Sequence, residues 1–166
     1  IQSQIQAIQS THSLNQQVDL VVATKYSGID DMTTLYNCGI RHFGENKIQD
    51  GISKQLLFSD KQDIHWHMIG TIQSNKARKA VTHFTTLQSV DRESILYRLN
   101  DIAADIHATP NILLQFNTGN DPNKSGFHEN DIGRLIDTIP KLTHLNIQGV
   151  MTILPYLKDE NKIRQL

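Results

Sequence analysis

Short apolar segments alternate with longer amphipathic segments along the whole chain of 166 residues. The apolar segments predict six strands, at residues 19–25, 41–45, 64–70, 84–90, 111–117 and 146–153. Several of them are apolar at nearly every position, which is typical of strands that are buried on both faces. A regular alternation of such strands with helices indicates a parallel sheet that is covered by helices.

The amphipathic segments predict five helices between these strands, at residues 30–38, 46–58, 74–82, 92–106 and 129–138. The fourth helix has the clearest apolar side, formed at helical spacing by Ile95, Leu96, Leu99, Ile102 and Ile106. The expected apolar side of the second helix consists of Ile48, Ile52, Leu56 and Leu57. We expect both sides to face the sheet.

Residues with known helix-end preferences mark some of these boundaries. Asp30 and Asp31 begin the first helix, where carboxylates stabilise the positive end of the helix dipole. Gly39 follows the same helix and is a common terminator. Ser74 is expected to cap the third helix, because a serine hydroxyl at that position accepts a hydrogen bond from a backbone N–H.

Two parallel architectures fit this pattern, an open doubly wound sheet and a (β/α)8 barrel. The first strand is followed by neither the glycine-rich turn of a dinucleotide-binding fold nor a P-loop, which weakens the doubly wound alternative. A barrel needs eight strands and about 200 residues or more, whereas this chain gives six strands and the start of a helix at residues 160–166. We therefore expect one domain over residues 1–166, a TIM-type barrel with about six of its eight βα units and with its C-terminal units missing.

Composition and charge exclude several classes of partner. The formal net charge is −1 and the isoelectric point is about 6.8, so no global positive field attracts nucleic acid or anionic lipid. The basic residues Lys76, Arg78 and Lys79 are expected to form a solvated helix face. No apolar segment approaches the ~20 residues of a membrane span, and the first residues do not resemble a signal peptide. Cys38 is the single cysteine, which suits a reducing cytoplasm.

Candidate ligand-binding residues stand where the predicted strands end. Both parallel architectures place ligands at the carboxyl ends of their strands. The polar residues at those positions are Lys25, Glu45, Asn46, His67, Asp91, Asn117, Lys124 and Thr152. A lysine that is sheltered from water in a barrel mouth loses its charge more easily, and a neutral amine can attack an aldehyde and hold it as a Schiff base. The pattern alone leaves open whether Lys25 is such a group or a solvated side chain.

His65 and His67 are two residues apart on the third strand and therefore share one face. Such a pair can begin the metal site of a barrel hydrolase. The alternative is that hydrogen bonds inside the barrel satisfy the histidines while Trp66 packs outward under a helix. We favour this alternative, because a lysine, a glutamate and amides stand at the other strand ends in place of further metal ligands.

Two loops are further candidates for binding. Residues 70–76, GTIQSNK, precede the third helix and can receive an anion at its N-terminus. The loop at residues 118–126, TGNDPNKSG, follows the fifth strand and carries Lys124. Its position above a strand end makes it a candidate binding loop, although an ordinary connection has the same composition.

Six sequence segments resemble a known family in order and spacing. They are VVATK (21–25), GIRHFGENKIQD (39–50), WHMIGTIQSNK (66–76), SVDR (89–92), NKSG (123–126) and QGVMTILP (148–155). Together they resemble the pyridoxal-phosphate homeostasis proteins, relatives of the alanine racemase N-terminal barrel. The resemblance extends over essentially the whole chain, and FGEN, WHMIG-x-x-Q-x-NK and NKSG are each fairly specific.

The resemblance implies a cofactor site. In that family the lysine that ends the first strand carries pyridoxal 5′-phosphate (PLP) as an aldimine, and Lys25 matches it. Asn46 matches a residue near the cofactor, Lys124 a basic residue close to the phenolic oxygen of the ring, and Met151 a position beside the ring. His67 then lines the floor of the pocket and binds no metal. Ser27 stands where the family commonly has a second lysine, which removes one residue that could pass the cofactor on.

The resemblance also implies a function in PLP homeostasis. The protein is expected to hold PLP and limit its free concentration, with PLP-dependent apoenzymes as recipients. The alternative is a PLP-dependent amino-acid racemase, which needs a second acid–base group that related racemases take from an additional domain. The family grips the phosphate with segments that are not among these 166 residues, so this chain alone is expected to retain PLP poorly.

Overall fold

A computed structural model of the chain describes residues 1–155 and 159–164. It contains one sheet of six parallel strands: β1 (Val21–Ala23), β2 (His42–Glu45), β3 (His65–Met68), β4 (Thr86–Val90), β5 (Asn111–Phe116) and β6 (Asn146–Thr152). All six predicted strands are confirmed, each within its predicted bounds. β1 is much shorter than predicted, because it pairs with β2 alone and forms an edge of the described sheet.

The described part of the chain contains seven α-helices, of which five connect successive strands of the sheet. They are α1 (Gln2–Thr11), α2 (Ile29–Asn37), α3 (Ile48–Leu57), α4 (Ala77–His83), α5 (Glu93–Asp105), α6 (Ile132–Thr138) and α7 (Glu160–Arg164). The five helices predicted between the strands are confirmed, and α7 lies where the start of a last helix was predicted. The helix α1 was not predicted from the sequence, and its residues are all at least partly exposed.

The end of α2 and the apolar side of α5 form as predicted. Gly39 follows α2 with a φ of +91°, a backbone conformation that glycine adopts without steric cost. The Asp31 carboxylate accepts a hydrogen bond from the Gly28 N–H at 3.2 Å, which closes the first turn of α2. In α5, the buried side chains include Ile95, Leu96, Leu99 and Ile102, and Ile106 just beyond it packs against the same core.

Two predictions about helices are wrong. Leu56 and Leu57 are 72% and 66% exposed, because α3 ends at Leu57 and the chain instead buries the next residue, Phe58. Ser74 caps no helix through its side chain. Residues Ser74–Lys76 form a 3₁₀ turn that leads directly into α4.

The order of the strands decides between the two predicted architectures. The strands follow one another as β1-β2-β3-β4-β5-β6, and every pair is parallel. A doubly wound sheet reverses its strand order at a switch point, whereas a barrel adds each βα unit beside the previous one. The described sheet is therefore an arc of a TIM-type barrel with six βα units, as predicted.

The two faces of the arc have different environments. Successive residues of a strand point to opposite faces. On the outer face the Phe43 ring lies 5.8 Å from that of Trp66 and 6.4 Å from that of Phe58, at the end of α3. This confirms that Trp66 packs outward under a helix. On the inner face, by contrast, the polar rings of His42 and His67 meet.

Candidate functional site

Lys25 lies in a turn directly after β1. The N–H of Ser27 donates to the carbonyl oxygen of Thr24 at 2.9 Å and closes this turn, which places Lys25 and Tyr26 at its two central positions. The Lys25 side chain is exposed, and its Nζ lies 5.2 Å from the centroid of the Tyr26 ring, which is itself 90% exposed. Within residues 1–155, no carboxylate forms an ion pair with the Lys25 amine.

Of the two alternatives that the sequence pattern left open, a sheltered amine and a solvated side chain, the structure shows the solvated side chain. The physical reason is the position of β1, which is an edge of the described sheet and has a neighbouring strand on one side alone. A turn that follows an edge strand contacts strand-end loops on that one side. Lys25 is an accessible primary amine, and desolvation gives no argument for its reactivity.

Asn46 follows β2 and is half-buried. The backbone of Asn46 lies very close to the backbone of Gly70, after β3, and this contact sets the position of Asn46. A Cβ atom added to Gly70 would lie 2.2 Å from the Asn46 carbonyl oxygen. Any side chain at position 70 would displace Asn46, so glycine is required there. The ends of β2 and β3 are thereby held together at the edge of the sheet where Lys25 also lies.

A cleft of about 360 Å³ opens between the loops that follow β2 and β3. Asn46 and Thr71 line it together with two exposed lysines, Lys47 and Lys76. This cleft contains part of the segment in which an anion site was predicted. The 3₁₀ turn before α4 gives that segment a different backbone from the helix N-terminus that the prediction assumed.

His67 is buried on the inner face of β3. Its Nε2 lies 3.0 Å from His42 Nδ1, and its Nδ1 lies 2.9 Å from Gln88 Nε2. Burial, and then the neighbouring rings of His42 and His65, lower the pKa of His67 to about 4. This confirms that hydrogen bonds inside the barrel satisfy His67.

The same geometry argues against the metal-hydrolase alternative. Both ring nitrogens of His67 already have hydrogen-bond partners, and His65 stacks on His42 with 4.7 Å between ring centroids. Across the described part of the chain, no group of three or more His, Cys, Asp or Glu side chains is arranged to hold a metal ion. A cavity of about 330 Å³ borders the three histidines on the inner face.

Lys124 belongs to the loop after β5 and reaches the end of β6. Its Nζ donates to the carbonyl oxygens of Ile153 and Leu154, at 3.1 and 3.2 Å. Asn117 orders the loop from below, because its Nδ2 donates to the carbonyl oxygens of Asp121 and Lys124. The loop therefore has a defined structure above the strand end.

Met151 is half-buried on β6 and pairs in register with Gln115 on β5. The structure brings it to the same pair of strand ends as Lys124. Asn46 and Lys25 lie on the other side of the arc, at the ends of β2 and β1. The five predicted site residues are thus spread across the inner side and carboxyl edge of the sheet, in the order of the strands that carry them.

The other acidic residues predicted at the strand ends are engaged. Asp91, after β4, is buried, and its Oδ1 accepts a hydrogen bond from Arg92 Nη1 at 2.5 Å. The second terminal nitrogen of Arg92 donates to the Ile72 carbonyl oxygen at 3.0 Å. Glu45 points to the outer face and pairs with Lys54 of α3 at 2.7 Å.

Sequence reasoning missed Lys54. A signal existed, because a carboxylate that ends an apolar strand needs a cation when it is buried. Nothing in the linear sequence shows which of several lysines supplies that cation, since Lys54 lies on a helix with an otherwise mixed pattern.

Comparison with known proteins identifies the family. The family model described as alanine racemase, N-terminal domain, matches residues 1–165. The chain belongs to this family. Among curated members, a pyridoxal phosphate homeostasis protein of Synechocystis is 42% identical over 138 residues, which are 83% of this chain and 63% of that protein. The chain therefore spans less than two thirds of the length of this relative.

Solved structures that are similar to this chain confirm the fold. PipY of Synechococcus elongatus without PLP superposes with a TM-score of 0.81 at 35% identity, over 96% of this chain and 75% of that one. The same protein with PLP bound gives a TM-score of 0.82 at 31% identity, over 96% and 74% of the two chains. None of the helices in the described part of the chain is long and apolar enough to cross a membrane.

Proposed function

We propose that this protein binds PLP covalently on Lys25 and serves PLP homeostasis. The observation that carries the proposal is the match to PipY with PLP bound, which extends over 96% of this chain. A curated relative with 42% identity is a pyridoxal phosphate homeostasis protein. Lys25 is an accessible amine at the carboxyl edge of the sheet, where barrel proteins bind their ligands.

The residues along this edge fit the chemistry of PLP. When bound, PLP supplies an aldehyde that condenses with a primary amine and releases water. The Lys25 amine has no carboxylate partner within residues 1–155 and is available for that reaction. We assign Asn46, Met151 and Lys124 to contacts with the cofactor, and His67 to the floor beneath it.

A carrier fits the described groups better than a racemase does. Racemisation needs two acid–base groups on opposite faces of the substrate carbon, and Lys25 supplies one. Three other titratable groups that were predicted at the strand ends are engaged: Asp91 pairs with Arg92, Glu45 pairs with Lys54 on the outer face, and both nitrogens of His67 are hydrogen-bonded. The proposed recipients of the cofactor are PLP-dependent apoenzymes, and the proposed location is the cytoplasm.

Reductive trapping tests the covalent link. The 166-residue chain is incubated with PLP, reduced with borohydride and digested, and peptide mass mapping locates the modified lysine. We expect modification at Lys25 and its loss in Lys25→Ala. Lys79→Ala is the matched control, because Lys79 is an exposed lysine on α4. Equal modification of several lysines, with no preference for Lys25, would refute the proposal.

Two assays separate the carrier from the racemase. The PLP-loaded protein is incubated with L-alanine, and D-alanine is measured against the background from free PLP. A carrier gives no excess, whereas a racemase gives an excess that disappears in Lys25→Ala. In the second assay, loaded protein is mixed with a PLP-dependent apoenzyme, and a carrier restores the activity of that enzyme.

A further inference from the structure

A buried ion pair lies under the outer face of β1 and β2, directly behind the turn that carries Lys25. The Lys54 ammonium donates to Glu45 Oε1 at 2.7 Å and to the carbonyl oxygen of Thr24 at 2.6 Å. The Thr24 hydroxyl donates to the same Glu45 oxygen at 2.5 Å. Glu45 and Thr24 have no exposed surface, and the Lys54 side chain is 17% exposed.

The carbonyl oxygen of Thr24 accepts two hydrogen bonds that together define the turn. One comes from the Ser27 N–H, at 2.9 Å, and closes the turn around Lys25. The other comes from Lys54 and is charge-assisted, which makes it stronger than a bond from a neutral donor. Lys54 therefore fixes the direction of the peptide group that immediately precedes Lys25.

The turn is also held at its first residue, because the Thr24 N–H donates to the carbonyl oxygen of Gly44 at 2.9 Å, but its two central residues have few contacts. β1 is three residues long and pairs with β2 alone, and the side chains of Lys25 and Tyr26 are both exposed. A segment with few buried contacts opens easily. The contact from α3 therefore adds, to the pairing with β2, a second restraint on the position of Lys25.

Local packing brings α3 close enough for this contact. A Cβ atom added to Gly51 would lie 2.6 Å from Phe84 Cζ and 3.4 Å from Glu45 Cβ. The absence of a side chain at Gly51 lets α3 lie against the end of β2, and Lys54 stands one turn further along the same helix. Glu45 Oε2 is buried and has no hydrogen-bond partner among the described residues, so Lys54 supplies the charge that this carboxylate needs.

We propose that Lys54 and Glu45 are positioning residues for Lys25. They clamp the turn Thr24–Ser27 from the outer face of the sheet and so present the Lys25 amine at the carboxyl edge. The inference rests on the proposed function of Lys25. Neither residue touches the cofactor in this proposal, because both lie on the opposite face of the strands from the inner cavity.

Substitutions that remove the clamp and still allow folding test the proposal. Lys54→Met alone leaves the Glu45 charge buried and unpaired, so the main variant is Glu45→Gln with Lys54→Met, which replaces the pair by uncharged side chains of similar size. Glu45→Gln alone is the milder variant, since it keeps the oxygen that accepts both hydrogen bonds. Lys61→Met is the matched control, because Lys61 forms a surface ion pair with Asp60.

Two measurements are made on each variant. The first is the rate at which PLP is trapped by borohydride at Lys25, determined by peptide mass mapping. We expect a fall of about tenfold in the double variant and of at least about twofold in Glu45→Gln, because a misplaced reactive group loses rate steeply. The second is hydrogen exchange of the peptide with residues 24–28, without PLP, where we expect exchange at least about tenfold faster in the double variant.

The outcomes separate the clamp from the proposed function. If no PLP is trapped at Lys25 in the wild-type protein, the proposed function is refuted, and the positioning role of Lys54 and Glu45 falls with it. Wild-type protein that is trapped at Lys25, beside a folded double variant with the same rate, overturns the clamp alone. Unchanged hydrogen exchange of residues 24–28 also overturns it. If the double variant does not fold, Glu45→Gln decides, and a wild-type rate in that variant counts against the proposal.

Discussion

The Nε2 atom of His67 lies 3.0 Å from the Nδ1 atom of His42. This contact and the one with Gln88 together determine which ring nitrogen of His67 carries the proton. The amide Nε2 of Gln88 can only donate, so His67 Nδ1, 2.9 Å away, must accept. The proton of the neutral ring is therefore on Nε2 and is donated to His42. A second proton on His67 would remove the acceptor that Gln88 needs, which agrees with the lowered pKa of His67.

Stability is expected to fall between pH 6.5 and pH 4. The pKa of His67 drops from 6.5 to about 4 on folding, mainly through burial, so the unfolded chain binds more protons than the folded chain in this range. The contribution is fully present above pH 6.5 and is lost as the pH falls toward 4. We expect a loss of about 2 kcal/mol from His67, which is less than the full shift because the ring borders an open cavity.

His67→Gln separates this contribution from the protonation of carboxylates. A glutamine amide can accept from Gln88 and donate to His42 without titrating. Urea unfolding of both proteins from pH 7 to pH 4 gives the two slopes, and the variant should lose less stability. His42, whose pKa is also lowered by burial, stays in both proteins and has a hydrogen-bond donor at the same position in each. Identical slopes would show that His67 is not the group responsible.

Gly70→Ala is expected to destabilise the protein by about 1–3 kcal/mol, the usual cost of forcing an atom into a packed site. The new Cβ would lie 2.2 Å from the Asn46 carbonyl oxygen, so the two strand ends must separate. Gly133→Ala is the control: it lies inside α6 with nothing within 4 Å of its Cβ, and alanine should raise helix stability. Thermal unfolding of both variants checks the contrast, and equal melting temperatures would contradict it.

Leu99→Ala is expected to cost about 2–5 kcal/mol of unfolding free energy, because it leaves a cavity between α5 and the sheet. Leu99 has no exposed surface, whereas Tyr97 on the same helix is 44% exposed. Tyr97→Ala should therefore cost much less, about 1 kcal/mol or below. Denaturant titrations measure both values. A similar cost for the two variants would mean that α5 does not pack as described.

Lys124→Met is expected to loosen the loop at residues 118–126. The substitution keeps the length of the side chain but removes both hydrogen bonds to the carbonyl oxygens of Ile153 and Leu154. Each bond from a charged donor contributes about 1.5–3 kcal/mol, so local opening becomes more frequent. Limited proteolysis reports this opening, and Lys141→Met, at an exposed lysine, serves as the control. Unchanged cleavage within the loop would show that the two hydrogen bonds of Lys124 do not hold the loop in place.

The sequence by itself determined the strands, most of the helices and the chain of six βα units. These features depend on local periodicity, which residues such as Ile95, Leu99 and Ile102 show directly. The sequence motifs also identified the family, and the match to that family selected Lys25 as the candidate cofactor lysine. Local pattern failed where tertiary packing overrides it, as at Leu56 and Leu57, which are exposed at the end of α3 while the next residue, Phe58, is buried.

Only the tertiary structure decided the surroundings of each candidate side chain. The exposure of Lys25 follows from the edge position of β1, and the partners of Glu45 and His67 come from residues distant in sequence. Hydrogen bonds and ion pairs between strands, and between strand and helix, depend on which segments become neighbours when the sheet forms. A linear pattern shows which residues need partners, and the fold decides which partners they receive.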